Sequence, residues 1–193
     1  MGYKIKKFML CLTLAIVVGC CLQQTFGYGV HEQLWLHVIY PEELSYYFKI
    51  LPAKDFGGVL DRPLKGIPMI VADPWEACTN TINNGNIIRG RVVLVRRGEC
   101  SFVTKSLNMQ KHGAKAIVIT NYNERDIDTW IDMSDDATGR VQDVTIPTFY
   151  LLGMDGHKMK QVLSDPYRSF ALVNIPANVT NPSGILQPKW DIW

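Results

Sequence analysis

The segment Arg91–Asn121, RVVLVRRGECSFVTKSLNMQKHGAKAIVITN, leaves the chain few folds to choose from. Val92–Val95 and Ala116–Ile119 are apolar at every position, the pattern of strands buried on both faces. Between them Ser101 is suited to cap a helix, and Phe102, Val103, Ser106, Leu107 and Met109 place small or apolar side chains at helical spacing. Lys111 and His112 put positive charge in the last turn, where the helix dipole favours it, and Gly113 fits the left-handed residue that ends a helix. Strand, helix and strand joined by short loops make a βαβ unit, predicted to be parallel with a right-handed crossover.

Residues 28–66 are expected to add strands that pack on this domain. Leu34–Tyr40 is rich in aromatic and β-branched residues, and Leu44–Ile50 alternates polar with apolar ones, which predicts two strands joined by a turn at Pro41-Glu42-Glu43. Pro52–Gly58 has loop composition. The domain core is expected over residues 67–173, opening with a strand at Ile67–Ala72 that Pro68 marks as an edge. Thr79–Gly90, rich in Asn and Gly, predicts a turn-laden connection. Residues 122–145 are acidic and aperiodic, an exposed loop with a short helix expected at Trp130–Met133. Thr148–Leu152, Met154–Leu163 and Phe170–Val173 predict another strand, helix and strand, although the residues match the first unit too poorly for a repeat. Residues 174–193 form a Pro- and Trp-rich tail.

Residues 1–27 have the layout of a secretory signal peptide. Lys4, Lys6 and Lys7 precede the 15 uncharged apolar residues Phe8–Leu22, and Thr25 and Gly27 supply small residues for cleavage. The apolar run is short for a membrane span, which needs about 20 residues. No later stretch is long enough to insert, so the mature chain is expected to be secreted. Cleavage removes three lysines and no acid, taking the formal charge from +2 to −1. A chain so near neutrality offers no electrostatic reason for a nucleic acid or an anionic membrane as partner. Cleavage also removes Cys11, Cys20 and Cys21, leaving Cys78 and Cys100, which are expected to pair in an oxidising compartment. Closing that loop stabilises a fold by roughly 3 kcal/mol in the chain-entropy account.

Val92–Val95, Arg97-Gly98-x-Cys100-x-Phe102, Lys105, Asn108 and Gly113-Ala114-x-Ala116 followed by Ile117-Val118-Ile119 resemble the signature of the protease-associated domain. Ile146-Pro147 before a strand and Asp155-Gly156 opening a helix resemble its second landmark, while Met109 and His112 depart from the pattern, where small residues are commoner. The resemblance implies an α/β fold of the swivelling β/β/α type, a mixed β-sheet or open barrel with flanking helices. It also implies a module that is not itself catalytic. Such modules sit beside peptidase domains, in the luminal part of ubiquitin ligases, or in sorting receptors, where they bind peptides or cover an active site.

The residues able to carry chemistry fall short of a catalytic set. Cys100 lies before a helix N-terminus, which lowers a thiol pKa, and His112 or His157 could act as its base. A disulfide to Cys78 removes that nucleophile. His31-Glu32 begins a zinc-protease motif, but Trp35 stands where the second histidine belongs and His37 comes too late. The acids of residues 124–143 miss the EF-hand spacing, because Trp130 occupies a ligand position after Asp126 and Asp128. Neither Ser101 nor Ser106 lies in a Gly-x-Ser-x-Gly elbow. No catalytic residue, metal site or cofactor is assigned. Asn178-Val179-Thr180 is an N-glycosylation sequon, whereas Pro182 excludes Asn181. The terminal tryptophans are expected to pack back onto the domain.

These readings converge on a secreted, glycosylated, disulfide-bonded domain that binds a protein or peptide and is not an enzyme. The alternatives are a regulatory subunit acting in trans on a secretory-pathway peptidase, and a thiol or other hydrolase using Cys100. Binding is expected to be decided by the 52–90 and 122–145 loops.

Overall fold

The structure, a computed structural model, describes residues 33–179 and 185–190. The signal-peptide segment, Thr180 of the sequon and the last three residues lie outside the described residues. Seven strands close into a barrel: β1 (Leu34–Tyr40), β2 (Tyr47–Pro52), β3 (Leu64–Val71), β4 (Val92–Arg96), β5 (Ala116–Thr120), β6 (Thr148–Leu151) and β7 (Ala171–Ile175). Their order around it is β1-β2-β6-β5-β4-β3-β7. The mixed sheet is thus as expected, but it closes where an open barrel was one of the expectations. β1 and β2 are staves of that barrel, pairing with β7 and β6. Two helices flank it, α1 (Phe102–Lys111) and α2 (Gly153–Leu163).

The βαβ unit forms as its sequence demands. β4 and β5 run parallel from Val92↔Ala116 to Arg96↔Thr120. They are apolar throughout because alternate side chains enter two different cores. Leu94 and Val118 join residues from every other strand, including Leu36, Phe48, Met69, Phe149 and Val173, to fill the barrel. Val93, Val95, Ile117 and Ile119 face outward, where Val103 and Met109 of α1 cover them together with Ile82, Ile88 and Met133 from the loops. At the start of α1, Ser101 accepts a hydrogen bond from the Thr104 N–H at 3.1 Å and donates to Asp136. Gly113 follows the helix at φ +81°, the left-handed conformation that glycine adopts without strain. Ser101→Ala is expected to cost about 1 kcal/mol, read as a lower urea midpoint at unchanged slope.

Three local expectations need correction. β2 begins at Tyr47 rather than Leu44, because Glu42–Leu44 form a 3₁₀ turn in which Leu44 and Ser45 donate back to Pro41 and Glu42. Leu44 is buried, so its apolar character belongs to the turn. β3 begins at Leu64, earlier than the expected Ile67. Trp130–Met133 forms no helix. Its surroundings give the backbone other partners: Tyr150 donates to the Thr129 carbonyl, and Lys54 N–H to that of Met133.

The described part of the tail packs back onto the barrel. Ala177 N–H donates to the Trp35 carbonyl at 2.7 Å, and Tyr47 N–H to that of Leu186 at 2.9 Å. Trp190 stacks on Phe48 with ring centroids 5.9 Å apart and donates from Nε1 to Asp155 at 3.1 Å. Trp193 lies outside the described residues.

Candidate functional site

β3, β4, β5 and β6 are mutually parallel, so their C-terminal ends emerge together at one end of the barrel. Parallel α/β sheets present their variable loops and ligand sites at that edge. Here Trp75 and Glu76 follow β3, Arg96 ends β4 and Arg97 follows it, and Asn121 and Tyr122 follow β5. α2 starts directly after β6 and brings His157 and Lys160.

Trp75 is the hub of this edge. The Arg96 guanidinium lies 5.3 Å from its ring centroid and the Lys160 ammonium 5.6 Å from it. The His157 ring meets it edge-on at 4.8 Å. Arg96 is also paired with Glu76. Arg97 lies 5.6 Å from the ring of Tyr122, which is 61% exposed. Cations over aromatic faces are attracted by the ring quadrupole, which holds them in place without neutralising them. Among the described residues neither Arg97 nor Lys160 forms an ion pair, so both charges remain available. Nε1 of Trp75 and Nε of Arg96 are buried with no hydrogen-bond partner among the described residues. Burial lowers the His157 pKa, and its Nε2 lies 3.2 Å from the Asn121 carbonyl, which favours the neutral ring donating from that nitrogen.

Asp126 anchors the loop beside this edge. The stretch was expected to be an exposed acidic loop, yet Asp126 is buried. Its carboxylate accepts from Asn121 Nδ2 at 2.8 Å, from Thr129 N–H at 2.9 Å and from Gly153 N–H at 3.4 Å. Burial pushes its pKa up, but these hydrogen bonds outweigh it and hold the group below its ordinary value. Beyond it a groove of about 250 Å³ runs between Tyr47 and Phe48, Ile127 and Trp130, and Met154 at the start of α2. Small-molecule sites commonly measure roughly 300–1,000 Å³, so this groove suits one or two side chains better than an enclosed substrate. No histidine or cysteine lines it.

Cys78 and Cys100 form a disulfide, with Cα atoms 5.7 Å apart. Cys100 therefore has no free thiol to act as a nucleophile. The bases imagined for it are engaged elsewhere, His112 near the Asn80 carbonyl and His157 near that of Asn121. Beneath the disulfide Lys105 is wholly buried. Its ammonium donates to the carbonyls of Glu76 and Gly98 at 2.6 and 2.7 Å. Burial lowers its pKa to about 8, opposed by the charges of Glu76 and Glu99. Asn108 Nδ2 donates to the Ala77 carbonyl at 2.9 Å, so two signature residues of α1 hold the loop after β3. Asn178 is exposed just past the end of β7. β7 runs antiparallel to β3, which puts Asn178 at the opposite end of the barrel from Trp75.

Sequence reasoning placed the binding surface in the loops that carry Trp75 and Tyr122 but named neither residue. The available signal was position: both follow strands that the βαβ rule makes parallel. Among the described residues no group of three His, Cys, Asp or Glu side chains is arranged to hold a metal ion, and no helix is long and apolar enough to cross a membrane.

A family model of the PA domain matches residues 67–159. A PRADC1-like protein from Drosophila melanogaster is 39% identical over 164 residues, covering 83% of this chain and 82% of that protein. An ER degradation-enhancing alpha-mannosidase-like protein 3 from Xenopus laevis is 32% identical over 125 residues, covering 62% of this chain but 13% of that protein. Among solved structures, an aminopeptidase from Aneurinibacillus sp. strain AM-1 superposes with a TM-score of 0.53 at 17% identity, over 77% of this chain and 31% of its own. At that identity the likeness concerns the fold alone. The match to the PRADC1-like protein extends over most of both sequences, whereas the other two share only a minor part of their length with this chain. The chain belongs to the PA domain family, and within it to the PRADC1-like proteins.

Proposed function

We propose that this chain is a secreted, non-catalytic interaction domain that binds a protein or peptide through the strand-end edge. The observation that carries the reading is the pair of cations, Arg97 and Lys160, seated on Tyr122 and Trp75 with no carboxylate partner among the described residues. Such a surface suits a carboxylate of a partner chain, and the groove beside Ile127 has room for a neighbouring side chain. The exposed Asn178 supports glycosylation, and a glycan there would stand at the other end of the barrel and leave the edge clear.

Display of a random peptide library against the immobilised full chain tests this. Enrichment of peptides carrying Asp, Glu or a free C-terminal carboxylate is the expected result, with affinity falling at least tenfold in the Arg97→Glu, Lys160→Glu double variant, about 1.4 kcal/mol. Equal binding by both proteins would remove the edge from the proposal. Cleavage of the library by the chain would overturn the non-catalytic reading.

A further inference from the structure

Lys105 makes the two sulfurs of the disulfide unequal. Its Nζ stands 3.3 Å from Cys78 Sγ while it donates to the carbonyls of Glu76 and Gly98. Cys78 and Cys100 are both only partly buried residues. When a thiolate opens a disulfide, the departing sulfur must take negative charge, and a neighbouring cation makes it the better leaving group. Cys100 has a weaker claim to that role. It precedes Ser101, the cap of α1, and a helix N-terminus offers only about half a unit of positive charge that fades beyond the first turn. A full ammonium in contact with Cys78 outweighs it.

We propose that Cys100 is a site of mixed-disulfide formation with a thiol reductant, and that Cys78 leaves as a thiolate held by Lys105. The reductant's thiolate attacks Cys100 Sγ. A new sulfur–sulfur bond forms there as the Cys78–Cys100 bond breaks, and its electron pair passes to Cys78 Sγ beside the ammonium. With a dithiol reductant, the second thiolate attacks its own partner sulfur in the mixed disulfide. Cys100 is then released as a thiolate that takes up a proton, and the two electrons lost by the dithiol have reduced the protein. Opening this bond removes the covalent tie between the loop of Trp75 and Glu76 and the loop of Arg96 and Arg97, which stay linked by the Arg96–Glu76 pair. Lys105 still joins their carbonyls, so the reduced chain remains folded. The sulfur chemistry does not depend on whether the edge binds a peptide.

The test incubates the disulfide-intact full chain with limiting reduced glutathione, traps free thiols with N-ethylmaleimide and maps both cysteines by mass spectrometry. Glutathione on Cys100 and maleimide on Cys78 is expected; the reverse assignment overturns the proposal. Lys105→Met is expected to slow the exchange by about tenfold and to erase the preference between sulfurs. Unchanged rate and site in that variant also overturn it. Cys100→Ser keeps Lys105 in place and isolates the Cys78 thiol. Its alkylation is expected to have a pH midpoint below the ordinary thiol value of about 8.5, and a midpoint at or above that value counts against the proposal.

Discussion

Gly156→Ala is expected to destabilise the protein by about 4 kcal/mol, although the same change in an exposed helix would gain about 1 kcal/mol in helix propensity. Packing wins because there is no space for a methyl group. A Cβ at position 156 would lie 2.0 Å from Oγ1 and 2.3 Å from Cβ of Thr120. Thr120 is fully buried at the end of β5, and its hydroxyl donates to the Leu152 carbonyl at 3.0 Å. It therefore cannot swing aside without breaking that bond. The helix must lift off the sheet instead, and α2 carries His157 and Lys160, so the Trp75 cluster would come apart with it. For a domain of this size the melting temperature should fall by roughly 10 °C. Calorimetry checks this, and a loss below a third of that size would mean that α2 slides freely over β5.

The same glycine shows what the sequence could and could not disclose. Asp155-Gly156 was readable as a landmark of a helix start, but the reason for the glycine is a contact with a threonine from another strand, invisible in a local pattern. The β4–α1–β5 unit was legible because everything that specifies it is local: two doubly buried strands, the Ser101 cap and the Gly113 stop. The turn at Glu42 and Glu43 was legible, but the strand start was set at Leu44 instead of Tyr47 because Leu44 continues an alternation that the backbone does not follow. The Trp130–Met133 stretch was misread because the Met133 carbonyl is taken by Lys54 and that of the preceding Thr129 by Tyr150, which no window around residue 130 contains. Asp126 looked like one exposed acid among many, and its burial depends on Asn121 and Gly153. The candidate site was legible only as loops. Trp75, Arg97, Tyr122 and Lys160 come from four separate segments, and only the parallel run of β3 to β6 brings them to one edge.

Lys105→Met is expected to cost about 4 kcal/mol near neutral pH, and the size of that loss should depend on pH in a direction that identifies its cause. A buried lysine could be a liability that an apolar side chain of similar length would relieve. Two facts weigh against that here. The ammonium satisfies the carbonyls of Glu76 and Gly98, and methionine would leave both facing an apolar group. Those carbonyls also belong to the two loops that must meet at the disulfide. The pH dependence separates the charge from the hydrogen bonds. In the folded chain the Lys105 pKa is lowered to about 8, by burial, against about 10.4 for an unperturbed lysine in the unfolded chain. Between those values the unfolded state binds more protons than the folded one, so stability rises with pH across that window and is lost again as pH falls back through 8. The rise amounts to roughly 3 kcal/mol at its upper limit, since each pKa unit corresponds to about 1.4 kcal/mol. Lys105→Met lacks this titration. Its deficit against the parent, measured by urea denaturation, should therefore widen from pH 8 to pH 10, because the neutral amine still donates to the carbonyls once its charge is gone. A deficit that stays constant over that range would show that Lys105 is not perturbed by burial. A deficit near zero at pH 7 would show that the two loops are held by the disulfide and Asn108 without it.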